Sequence, residues 1–153
     1  MLEGKIMLMN RFLVILYLSI ASYSDIKTYT LSTGLTICFS VLFTVIQLIS
    51  LRDISDTLYA MAFGAIPGVL LLILGCLTKE AIGYGDGFLV ISLGIMLGLR
   101  ATLFICLIAF FLSAIAALCV MLLVRIKGKR AFTKQSLPFI PFLLIGYVIS
   151  LSL

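Results

Sequence analysis

Apolar runs separated by short polar connections make up most of the 153-residue chain. About 20 apolar residues are enough for a helix to cross the hydrocarbon core of a membrane, so runs of this kind predict transmembrane helices. Six runs can be separated, at 6–24, 31–51, 58–78, 88–99, 101–124 and 137–153. The division between the fourth and fifth runs rests on a single charge, Arg100. The pattern predicts an all-α membrane bundle of about six transmembrane helices, formed by one domain over residues 1–153.

The composition supports a membrane protein. Hydrophobic residues are 63% of the chain and charged residues 11%, whereas soluble domains have about 45–50% and about 25%. The excess of 11 basic over 6 acidic residues does not indicate a nucleic-acid partner, because the basic residues cluster at the ends of apolar runs. Their positions instead indicate orientation in the membrane and contact with membrane lipids.

The most basic connection predicts the topology. Residues 125–134 hold five of the eleven basic residues and no acidic one, so this loop should face the cytoplasm. Counting back through alternating spans places the 79–87 and 25–30 connections on the same side. Asp25 and Asp86 should therefore lie at the cytoplasmic face, with Asp53 and Asp56 on the opposite side.

The residue types limit the possible chemistry. The chain has no histidine, which excludes Ser-His and Cys-His nucleophile pairs and the histidine ligands of most catalytic zinc sites. The four cysteines lie singly in apolar runs without a CxxC pair, and are interpreted as packing residues. Neither a metal nor an organic cofactor is indicated.

Two carboxylates at one depth suggest acid–base catalysis. Asp25 and Asp86 facing each other would not both ionise easily, so the pair can share one proton. Such a pair can hydrolyse a peptide, since the ionised carboxylate activates water while the neutral one protonates the carbonyl oxygen. Gly83 and Gly85 would allow positive φ and let an extended substrate approach the main chain. A structural interpretation stays open for each aspartate, Asp86 as a helix cap and Asp25 as the polar end of the first helix.

Other residues have predicted supporting roles. Tyr23, Ser24 and Lys27 lie close enough in sequence to tune Asp25 by hydrogen bonding or charge. The small residues inside the apolar runs are predicted to let helices pack closely; they include Gly64, Ala65, Gly68, Gly94 and Gly98.

"GYGD" (83–86), together with the earlier aspartate of "SYSDIKTYTLS" (22–32), resembles the type IV prepilin peptidases and their preflagellin-peptidase relatives, which are membrane aspartic proteases of the GxGD type. "LPFIPFLL" (137–144) is similar to the start of the last span in that family. The resemblance implies that Asp25 and Asp86 are the catalytic pair and that Gly83 and Gly85 shape the loop. It implies a pilin-like precursor as substrate, cleaved after a short leader at the cytoplasmic face of the cell membrane.

The chain also departs from the family pattern. Leu31 and Ser32 stand where many members have Ile-Pro, Phe88 stands where a lysine is common, and Ile140 replaces a glycine. The cysteine-rich insertion of the methylating members is absent, so cleavage without N-methylation is expected. Two alternatives remain at this point, a small proton-coupled carrier that uses the aspartates as relay groups, and a non-enzymatic subunit of a secretion system.

Overall fold

The computed structural model of the protein describes residues 2–28, 33–49, 54–78, 83–127 and 138–152. All regular elements in these ranges are helices, which confirms the predicted all-α fold. They are α1 (Leu2–Thr28), α2 (Thr33–Ile49), α3 (Ile54–Leu77), α4 (Tyr84–Lys127) and α5 (Ile140–Ser152). Several positions used in the sequence analysis lie outside the described residues: 31–32, 53, 79–82, 128–134 and 137.

The described helices differ in their capacity to cross a membrane. Ser55–Leu77 and Tyr84–Leu123 are long and apolar enough to do so, while Gly34–Ile49 and Ile140–Ser152 are apolar but shorter. The 13 residues of α5 extend only about 20 Å, against about 30 Å of hydrocarbon. The prediction of about six transmembrane helices is therefore not supported within the described residues, although an apolar helical bundle agrees with a membrane protein.

The predicted fourth and fifth spans form one element, α4, which is kinked at Gly98. The backbone there has φ 77° and ψ 172°, a combination that essentially only glycine adopts. The predicted division at Arg100 lies two residues from this break, and Arg100 itself is helical and exposed. The charge pattern identifies Arg100 because its side chain favours water. The helix breaks at Gly98 because glycine can adopt backbone angles outside the helical region.

Glycines bring α3 and α4 into backbone contact. Gly64 of α3 lies against Gly94 of α4, so that a Cβ added to either would overlap the carbonyl of the other. Further along, a Cβ on Gly68 would lie 2.7 Å from the Gly87 carbonyl oxygen. The two helices run antiparallel, since the later residue of α3 meets the earlier residue of α4. The predicted packing role of Gly64, Gly68 and Gly94 is confirmed.

The other helices pack around different parts of α4. α5 packs against its second half, where a Cβ on Gly146 would lie 2.8 Å from the Ile105 carbonyl oxygen. α1 packs against α5, and the Tyr147 hydroxyl donates to the Arg11 carbonyl oxygen at 3.3 Å. α2 packs against the first half of α4. α4 is thus the element that connects the rest of the bundle.

The glycine contact leads to a prediction about stability. Gly94→Ala should lower the free energy of unfolding by about 1–3 kcal/mol, because the added methyl group forces the two backbones apart. The matched control is Gly34→Ala, at an exposed helical glycine of α2. It should be neutral or stabilise by up to about 1 kcal/mol, because alanine favours the helix. Denaturant unfolding in detergent micelles measures both, and equal stability of the two variants would contradict the packing role.

Candidate active site

Asp25 lies in the last turn of α1 and accepts a hydrogen bond from the start of α5. The Ile140 N–H donates to Asp25 Oδ2 at 3.2 Å. The N–H of Phe142 donates to the Phe139 carbonyl oxygen at 3.1 Å, so Phe139 occupies the cap position. The N–H of Ile140, in the first turn, then has no acceptor within its own helix and is available to Asp25. Pro141 follows, where the missing N–H has little cost. The carboxylate of α1 therefore caps a helix that lies 115 residues away in the chain.

Asp86 lies in the first turn of α4, next to the glycines that precede it. Its N–H donates to the Gly83 carbonyl oxygen at 3.1 Å, and a Cβ on Gly83 would lie 3.6 Å from Asp86 Oδ2. The carboxylate therefore lies over Gly83. Gly83 occupies the cap position and Asp86 is the third residue of α4, so the interpretation of Asp86 as the helix cap is corrected to a position in the first turn.

The conformational reason given for the two glycines is corrected by the structure. Among the described residues, Gly98 is the glycine with positive φ, so neither Gly83 nor Gly85 is needed for that purpose. Gly85 is the second residue of α4 and Gly83 is exposed. The absence of a side chain at Gly83 leaves the space over which the Asp86 carboxylate lies. Their role in substrate approach stays a prediction.

The structure brings the two aspartates together at one end of the bundle. Both are half-buried, and the charge of Asp25 acts on the Asp86 carboxyl group. Asp86 lies in the first turn of α4 and Asp25 accepts from the first turn of α5, and the N-terminal partial positive charge of each helix favours a negative group. Burial and mutual repulsion oppose ionisation of both carboxylates, while the two helix starts favour it. The arrangement can hold one shared proton, although the catalytic role itself stays a prediction.

The residues predicted to tune Asp25 have different surroundings. The Lys27 ammonium lies over the ring of Tyr23, 5.7 Å from its centre, and both side chains are exposed. Ser24 is half-buried beside the site. The group that bonds Asp25 directly is the Ile140 backbone N–H, which sequence reasoning missed. The only signal for it was "LPFIPFLL", whose prolines mark the start of a helix.

Sequence reasoning also missed a set of hydroxyl side chains inside the bundle. Tyr17, Thr36 and Ser92 are buried, and Ser40 forms a hydrogen bond with Ser92. Each lies singly in an apolar run, so no local pattern connects them. They lie deeper in the bundle than the aspartates, and we call them the hydroxyl cluster.

These features define a class of protein, an apolar helical bundle with two interacting carboxylates at one end. The sequence profile of the type IV leader peptidase family matches residues 12–118. The chain belongs to the type IV leader peptidase family, which confirms the resemblance seen in the sequence and makes the protein a membrane-embedded peptidase. The match includes Asp25 and Asp86, whereas Pro138–Pro141 lie beyond it. Comparisons with curated proteins and with solved structures gave no significant match.

The hydrogen bond to Ile140 gives Asp25 a structural role that can be separated from its charge. Asp25→Ala should lower the free energy of unfolding by about 1 kcal/mol, because the first turn of α5 loses its cap. Asp25→Asn should retain most of that stability, since the amide oxygen can accept the same hydrogen bond. Denaturant unfolding in micelles measures both. Equal losses in the two variants would contradict a capping role that the amide oxygen can take over.

The charge of Asp25, which follows the first apolar run, should make stability depend on pH. Burial raises the pKa of this carboxyl group, and the N–H groups of Ile140 and Phe139 oppose the rise. The folded state therefore binds the proton more tightly than the unfolded chain does. This contribution to stability is complete below the unfolded pKa of about 3.9 and is lost as pH rises through the folded pKa.

The comparison that isolates this effect is wild type against Asp25→Asn. The wild type should lose stability relative to the variant as pH rises above about 4. Unfolding curves recorded over a pH series measure the difference. A difference that stays constant with pH would contradict a raised pKa for Asp25.

Proposed function

We propose that the protein is an aspartic-type endopeptidase that removes a short leader from a pilin-like precursor. The observation that supports this most directly is the position of Asp25 and Asp86, half-buried at one end of the bundle and close enough for their charges to interact. Membership of the family makes a leader-type substrate the expected one. No N-methylation of the product is expected.

In the proposed mechanism the two carboxylates have different roles. The Ile140 N–H favours the ionised form of Asp25, so Asp25 takes a proton from water while Asp86 donates one to the carbonyl oxygen of the scissile bond. The resulting hydroxide attacks the carbonyl carbon and forms a tetrahedral intermediate. The proton taken up by Asp25 then passes to the amide nitrogen, and the C–N bond breaks. The proton that Asp86 gave to the carbonyl oxygen returns to Asp86 as the carbonyl group forms again.

The membrane setting follows the charge distribution. The basic 125–134 segment favours the cytoplasmic face for the end that carries both aspartates. A multi-pass protein of the cell membrane, with its active site at that face, would meet a precursor whose polar leader precedes an apolar helix. This position favours a peptidase over a carrier, because carriers bind their substrates near the bilayer midplane.

The test is leader removal by the intact protein. Co-expressed with a candidate pilin-like precursor, the wild type should produce a shorter product on gels and by mass spectrometry. Asp25→Asn and Asp86→Asn should each reduce the rate by at least about 100-fold, because each removes one of the two proton-transfer groups. Both should insert in the membrane as the wild type does.

A matched control changes the same charge away from the site. Asp56, in the first turn of α3, is exposed, and Asp56→Asn should cleave at the wild-type rate. Persistent cleavage by either Asp25→Asn or Asp86→Asn would refute the two-aspartate mechanism. Cleavage that is insensitive to all three substitutions would point to a different catalytic group.

A further inference from the structure

Two members of the hydroxyl cluster, Tyr17 and Ser92, lie on the same helices as the two aspartates. Tyr17 belongs to α1 and lies about 12 Å before Asp25 along its axis, and Ser92 belongs to α4 and lies about 9 Å beyond Asp86. Tyr17 and Ser92 are both 0% exposed. The cluster is therefore at a similar depth on α1 and α4, below the end of the bundle where the carboxylates meet.

Contacts within the cluster join three helices. Ser92 Oγ donates to the Phe88 carbonyl oxygen at 3.0 Å, and the Ser40 hydroxyl forms a hydrogen bond with Ser92 Oγ, which connects α2 to α4. The Tyr17 ring stacks on Phe39 with a centroid separation of 4.6 Å, which connects α1 to α2. A hydrogen bond from the Tyr17 hydroxyl to Ser92 would link α1 directly to α4.

The Tyr17 hydroxyl is buried among the described residues. Within the described part of the chain no group meets hydrogen-bond geometry with Tyr17 Oη, although the hydroxyls of Ser92 and Thr36 lie beside it. A buried polar group in this state is unfavourable. Phenylalanine would fill the same space at no such cost, so the hydroxyl is not needed for packing. Since a hydroxyl oxygen can accept two hydrogen bonds, Ser92 Oγ can take one from Tyr17 as well as one from Ser40.

We propose that Tyr17 is a positioning residue for Asp25 and Asp86. Its hydroxyl donates to Ser92 Oγ when α1 and α4 move into the arrangement that cleaves the substrate, and this bond fixes the separation of the two carboxylates. Tyr17 shares α1 with Asp25, and Ser92 shares α4 with Asp86. A displacement of the helices that brings Tyr17 to Ser92 therefore also changes the distance between Asp25 and Asp86. The inference rests on the proposed function and adds a residue that does not touch the reacting atoms.

The first test measures separation without using activity. In a chain whose four cysteines are replaced, nitroxide labels at Ile26 and Tyr84, which are 56% and 40% exposed, report the distance between the two aspartate-bearing helix ends by double electron–electron resonance. The wild type should show a short-distance component, and Tyr17→Phe and Ser92→Ala should both reduce it. A Tyr17→Phe distribution identical to that of the wild type would overturn the inference, whether or not any precursor is cleaved.

The second test is kinetic and has a matched control. Tyr17→Phe and Ser92→Ala should lower kcat about tenfold, the effect of one lost hydrogen bond, with KM unchanged. Tyr147→Phe also removes a buried hydroxyl, one that donates to the Arg11 carbonyl oxygen away from the aspartates, and should leave kcat unchanged. Tyr17→Phe should unfold no more easily than the wild type, since the hydroxyl it removes has no hydrogen-bond partner among the described residues.

The combined outcomes separate the two proposals. If no chain, including the wild type, cleaves the precursor but Tyr17→Phe changes the label distance, the proposed function fails and the role of Tyr17 in positioning the helices stands. If the wild type cleaves and both Tyr17→Phe and Ser92→Ala cleave with unchanged kcat, the proposed function stands and the inference is overturned. A loss of kcat in Tyr147→Phe equal to that in Tyr17→Phe would also overturn it, because the effect would then follow from any buried hydroxyl.

Discussion

Gly64 and Gly94 hold the backbones of α3 and α4 at a separation that leaves no room for a side chain on either residue. This contact places the first half of α4, and with it Asp86, against α3. The kink at Gly98 then separates that half from the second, which packs on α5. The start of α5 in turn donates its N–H to Asp25. The positions of both aspartates therefore depend on how α4 is packed and where it is broken.

The ends of helices, more than side-chain partners, create the electrostatic setting of the site. The first turn of α4 carries Asp86 and the first turn of α5 bonds Asp25, and both favour negative charge, while burial and the neighbouring carboxylate disfavour it. Neither influence needs a cation or a metal, and the chain has no histidine. The same groups support the fold, since Asp25 caps α5 and Asp86 lies in the first turn of α4. Stability and acid–base chemistry are therefore coupled in this protein. At Asp25, substitution by asparagine removes the charge and keeps a hydrogen-bond acceptor, whereas alanine removes both.

Several polar side chains are buried in the otherwise apolar interior of the bundle. Ser92 and Ser40 form a hydrogen bond with each other. The buried Tyr17 hydroxyl has no hydrogen-bond partner among the described residues. Proteins often retain such unfavourable groups where function requires them, at some loss of stability. Tyr17 and Ser92 belong to the two helices that carry the aspartates, so a change in the relative position of these helices would change the contact between the two hydroxyls.

The sequence by itself determined the helical class, the membrane character and the positions of the small residues used in packing, because these depend on composition and on the residue types within each apolar run. It also predicted that Asp25 and Asp86 share one end, since the number of intervening spans decides the side on which each lies. Only the tertiary structure decided that the helix breaks at Gly98 and not at Arg100, that Ile140 bonds Asp25, and that Tyr17 approaches Ser92. Those features join residues as far as 115 positions apart. They follow from the packing of whole helices, which no local pattern of polar and apolar residues specifies.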